Sequence, residues 1–66
     1  MSKLKEARER AGLTQKELSE RSGVNLRTVQ NYEQGYKDIN KAQGLSLYKL
    51  AKALNVTMED LIEFKK

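Results

Sequence analysis

The chain contains no cysteine, no histidine and no proline. Without cysteine there is no disulfide framework, and without either cysteine or histidine there is no zinc site of the usual kind. The same two absences remove a cysteine nucleophile and a histidine general base. The remaining carboxylates and tyrosines form no assignable nucleophile–base pair. Neither a glycine-rich phosphate loop nor a metal-ligand cluster can be read from the spacing, so the expectation is no enzyme, no metal and no cofactor. No apolar run approaches the ~20 residues of a membrane span. The first residues carry no signal-peptide pattern, which predicts a soluble, cytoplasmic protein with no membrane partner. Aromatic residues are few, three tyrosines and one phenylalanine. That is a poor supply for a surface that stacks single-stranded bases.

What is present is one domain, residues 1–66, near the lower size limit for independent folding. Apolar residues make up 38% of it, enough for one small core. Packing alone must stabilise it, by ~3–5 kcal/mol for this size. The net charge is +4, compatible with a polyanionic partner, and its distribution says more than its sum. From Arg21 to Lys52 there are six basic residues and only two acids, Glu33 and Asp38. The last ten residues carry Glu59, Asp60 and Glu63, so that end is not expected to face phosphate.

The apolar periodicity is helical throughout. Leu4, Ala7, Arg8 and Ala11 form a stripe between a Ser2 cap and Gly12, predicting a first helix over 3–11. Thr14-Gln15-Lys16-Glu17 is a capping box, with Leu13 and Leu18 placed for a hydrophobic staple. It starts a second helix over 15–21 that ends at Ser22-Gly23. Asn25 caps a third, 26–34, closed by Gly35. A loop anchored by Ile39 follows. A fourth helix starts after Gly44 or Ser46, with the stripe Leu47, Leu50, Ala51 and Leu54, and stops at Asn55. Thr57 begins a fifth, with Leu61, Ile62 and Phe64. The reading is all-α, a compact five-helix bundle.

Residues 15–34 make a unit of two helices joined by a tight turn, and such helices cross steeply. The inward positions are Leu18, Ser19, Val24, Val29 and Tyr32. The small Ser19 allows close approach, and Val29 and Tyr32 share one face. The stretches "TQKELSERSGV", "TVQNYEQG" and "LYKLAKALNVTMEDLI" resemble the Xre-type regulators and the phage Cro and repressor-like helix-turn-helix proteins. The resemblance runs over roughly residues 3–64, with the helices in the same order. It implies a lambda repressor-like DNA-binding domain. Three departures stand out: Ser19 where the family usually has alanine, Ser22 where it has alanine or an apolar residue, and a "YKDINKAQGLS" connection about three residues longer than common versions.

With Val29 and Tyr32 inward, the opposite face of the third helix carries Leu26, Arg27, Gln30, Asn31 and Gln34. On the resemblance, this helix enters the major groove of double-stranded DNA. Arg27 suits guanine O6 and N7, Gln30 or Asn31 suits adenine N6 and N7, and Leu26 suits a thymine methyl. The family pattern carries a backbone contact over to Gln15 at a helix start, with Thr14 and Lys16 beside it. It carries phosphate contacts over to Gln34, Tyr36, Lys37, Asn40 and Lys41, which set register without reading sequence. It also implies a structural ion pair between Arg8 and Glu33.

The resulting expectation is a small transcriptional regulator, a repressor, bacterial or phage-encoded, with no small-molecule effector domain. It would bind as a homodimer, with Met58, Ile62 and Phe64 plus Leu45 or Leu47 offered as an apolar dimer patch. The alternative is a protein-interaction or antitoxin-like helical module that keeps the fold. That reading requires an acidic or apolar third-helix face.

Overall fold

The computed structural model describes residues 2–63. Helix α1 (Lys3–Arg10) starts where the Ser2 hydroxyl accepts the Lys5 N–H at 3.1 Å. It ends one residue earlier than its stripe suggested, because Ala11 is the cap and lies exposed. Helix α2 (Gln15–Ser22) carries the expected capping box. Thr14 Oγ1 accepts from the Glu17 N–H at 3.1 Å, and the Glu17 carboxylate accepts from the Thr14 N–H at 2.9 Å. Those bonds favour the charged carboxylate and hold Glu17 below the usual glutamate range.

Gly23, at φ 77°, makes the left-handed turn into helix α3 (Leu26–Gln34), and Gly35, at φ 84°, closes it. Between them Asn25 caps α3 by accepting the Arg27 N–H at 2.8 Å. The Ser22 that departs from the family pattern is buried. Its hydroxyl accepts the Val24 N–H at 3.1 Å, while the Ser19 hydroxyl donates to the Val24 carbonyl at 2.6 Å. The two serines therefore bond the turn from inside, a role alanine lacks.

A 3-10 turn, Ile39–Lys41, follows, with Ile39 in the core as its anchor. Helix α4 (Gly44–Leu54) has Gln43 as its cap residue and ends at Asn55 in the left-handed region. Its first turn thus includes Gly44 and Ser46, both considered as preceding residues. Leu4, Leu18, Val29, Leu50 and Leu61 are fully buried at the centre, where α2 packs on both α3 and α4 and α1 packs on α3.

The described residues form four α-helices, not five. The Thr57–Asp60 capping box is real, with bonds of 3.0 and 3.2 Å, but it closes a single 3-10 turn, Met58–Leu61. Ile62 is extended (φ −79°, ψ 134°). The cause is a non-local competitor. The Asn40 carboxamide bonds the Glu63 backbone on both sides, donating to its carbonyl at 2.6 Å and accepting its N–H at 2.8 Å. The Glu63 side chain in turn accepts the Lys3 N–H at 2.6 Å at the start of α1. The expected helical continuation through Phe64 falls outside the described residues.

Candidate nucleic-acid interface

Helix α3 divides cleanly along its length. Val29 is 0% exposed and Tyr32 packs against the core, as the spacing required. The opposite side carries Arg27 and Gln34, both exposed, with Leu26, Gln30 and Asn31 half-buried at its edges. This brings the four base-reading candidates onto one helix face beside Gln15, whose Oε1 accepts from Gln30 Nε2 across 3.5 Å.

The one acid of α3 does not share that face. The Glu33 side chain is 2% exposed and lies against that of Arg8, which is 11% exposed. Arg8 Nε donates to Glu33 Oε2 at 2.7 Å and Nη2 to Oε1 at 3.1 Å, a two-pronged fork. The third prong, Nη1, donates to the Leu13 carbonyl at 2.7 Å. The hydrogen bond to Glu33 raises the Arg8 pKa further above its ordinary value, outweighing the opposing effect of burial. Gln15 Nε2 adds a third donor to the carboxylate, reaching Oε1 at 3.1 Å. The resemblance-based pairing of Arg8 with Glu33 is therefore present, and it is larger than a pair.

Beyond Gly35 the chain folds back on α3, with the Tyr36 and Lys37 N–H groups donating to the Asn31 carbonyl at 2.9 and 3.2 Å. Tyr36 is left 77% exposed. Lys37 and Lys41 line an open cleft of about 410 Å³ together with Thr28, Tyr32, Gln43 and Ser46, and Asp38 is its one acid. Gln43 makes no side-chain capping bond, so the first backbone N–H groups of α4 lack a cap from their own cap residue. Thr28 and this helix start line the same cleft and were not among the expected site residues. The ambiguous start of α4 was the one signal for the latter, and Thr28 had none.

Asn40, expected among the phosphate-contacting residues, is exposed, and its carboxamide also ties down the Glu63 backbone, which leaves one amino hydrogen unused by those bonds. Thr14 and Lys16, the neighbours of Gln15 in the chain, are exposed at the start of α2. Of the apolar dimer patch, Leu47 is buried in the core and Met58 and Ile62 pack partly against it. Leu45 is 63% exposed, and Phe64 lies outside the described residues. No helix among the described residues is long and apolar enough to cross a membrane.

Two helices meeting at a left-handed glycine, with the second presenting a polar face beyond a buried valine, define a helix-turn-helix domain. The chain matches the helix-turn-helix family model over residues 4–61. It is also similar to the HTH-type transcriptional regulator ImmR of Bacillus subtilis (strain 168), at 38% identity over 60 residues. That alignment covers 91% of this chain and 45% of the relative, so the chain spans about half the relative's length. No solved structure matches. The chain belongs to the helix-turn-helix family of the Xre and Cro type.

Proposed function

We propose that this chain binds double-stranded DNA in a sequence-specific manner, laying α3 in the major groove, and that it acts as a transcriptional repressor. The observation that carries this reading is the concealment of Glu33. With that carboxylate turned under the helix and neutralised by Arg8, α3 offers the groove a surface of one arginine and several carboxamides with no negative charge. Arg27 reads guanine, Gln30 and Asn31 read adenine, and Leu26 contacts a thymine methyl.

Phosphates flank the groove on both sides. One strand meets the start of α2, where Thr14, Gln15 and Lys16 stand at a positive helix end. The other meets Gln34, Tyr36, Lys37 and Lys41, with the start of α4 behind the lysines. A single α3 buries too little surface for tight selection, so the chain works as a homodimer on a two-fold site. Its half-sites lie about one helical turn apart, roughly 34 Å. Selection from a random pool of duplexes tests this reading. Enrichment of a palindromic site with that spacing supports it, and recovery of unenriched sequence contradicts it.

A further inference from the structure

The exposed polar face of α3 and the ion pair beneath it are joined by a continuous line of hydrogen bonds. Arg8 donates to Glu33, Gln15 donates to Glu33, and Gln30 donates to Gln15, over 2.7, 3.1 and 3.5 Å. The polarity of this line follows from chemistry alone. A guanidinium only donates and an ionised carboxylate only accepts. The Gln15 atom against Glu33 must therefore be its amino nitrogen, which turns the Gln15 oxygen toward Gln30. The Gln30 atom meeting that oxygen must in turn be its own amino nitrogen. Either carboxamide, if flipped, would set two acceptors or two donors against each other.

We propose that the Arg8–Glu33 pair, acting through Gln15, fixes the direction in which the Gln30 carboxamide faces a base. Gln15 is a positioning residue, and the buried ion pair sets specificity as well as holding the fold. With its amino group committed toward Gln15, Gln30 turns its oxygen to the other side and keeps one N–H to spare. That combination matches a groove edge bearing an amino group beside an acceptor, as adenine does with N6 and N7. Guanine and thymine offer O6 and O4, which the spare N–H alone can meet, so the Gln30 oxygen is left without a donor and these bases are disfavoured. The inference rests on the DNA-reading function proposed above and adds to it the origin of one base preference.

The test uses duplexes selected by the wild-type chain, with every base pair of the selected site then varied singly. Gln30→Ala identifies the pair that Gln30 reads, as the position whose preference disappears. The proposal expects that pair to present adenine to the protein. Gln15→Met keeps the length of the side chain without its polar atoms. It should lower the preference at that same pair by roughly 3- to 10-fold, the loss of a pre-oriented side chain, and leave the other positions unchanged. Gln15→Met combined with Gln30→Ala should match Gln30→Ala there.

A G·C pair at the position read by Gln30 would overturn the proposal without any Gln15 variant. A Gln15→Met protein with intact adenine preference but uniformly weaker binding would also overturn it, leaving Gln15 a phosphate contact only. If the wild-type chain selects no sequence at all, the DNA-reading function itself falls.

Discussion

Arg8 is the residue whose loss the structure prices most sharply. Its three bonds of 2.7, 3.1 and 2.7 Å supply two of the three side-chain donors to Glu33 and one to the Leu13 carbonyl. Arg8→Met retains much of the apolar stem but leaves a carboxylate that is 2% exposed without its counter-charge. Breaking a buried pair in this way costs about 3–5 kcal/mol. A disulfide-free domain of this size has about that much stability in all. The single variant should therefore be largely unfolded in plain buffer, and an excluded osmolyte should recover it.

Replacing both partners removes the orphaned charge. Arg8→Met with Glu33→Met leaves only the Leu13 carbonyl and the Gln15 carboxamide short of a partner, at about 1 kcal/mol each. The double variant should then be more stable than the single one. Urea titration followed by far-ultraviolet circular dichroism reads both. A single variant within about 1 kcal/mol of wild type, or a double variant less stable than the single, would refute the reasoning.

Further outcomes follow from the same geometry. Lys37→Ala and Lys41→Ala should weaken binding to all duplexes alike and reduce the salt slope by about one unit each, measured by fluorescence anisotropy across ionic strengths. Asn40→Ala should cost about 1–2 kcal/mol and speed amide exchange at Ile62 and Glu63, with the salt slope of DNA binding unchanged. Acid should destabilise the fold through Glu17 and Asp60, both held below the usual carboxylate range by backbone hydrogen bonds to their capping residues. A lowered folded pKa means stability that is present above the unfolded value and lost as pH falls through the folded one. Glu17→Gln and Asp60→Asn should flatten that acid slope in urea midpoints measured from neutral pH downward.

Much of this was legible in the sequence because its signals are local. Gly23, Gly35 and Asn55 stop helices by adopting a left-handed backbone, and Ser2, Thr14 and Asn25 start them through side-chain oxygens within three residues. The separation of Val29 and Tyr32 from Arg27 and Gln30 follows from helical periodicity alone. What the sequence hid depends on distant partners. Thr57 and Asp60 look like any helix start, and only Asn40, 23 positions away from Glu63, decides that the chain leaves the helix after one turn. Gln15 reads as a free hand at a helix start, yet its nitrogen is engaged by Glu33, 18 positions along. Nor does anything local to Asn40 announce its two bonds to the Glu63 backbone.

The most direct measurement compares wild type and Arg27→Ala on a selected duplex and on a scrambled one at the same ionic strength. Base reading by α3 predicts a loss of about 1–3 kcal/mol on the selected duplex, with preference relaxed at one position and little change on the scrambled duplex. Equal losses on both duplexes would mean that Arg27 contacts phosphate alone, and would contradict the account of α3 as the element that reads DNA.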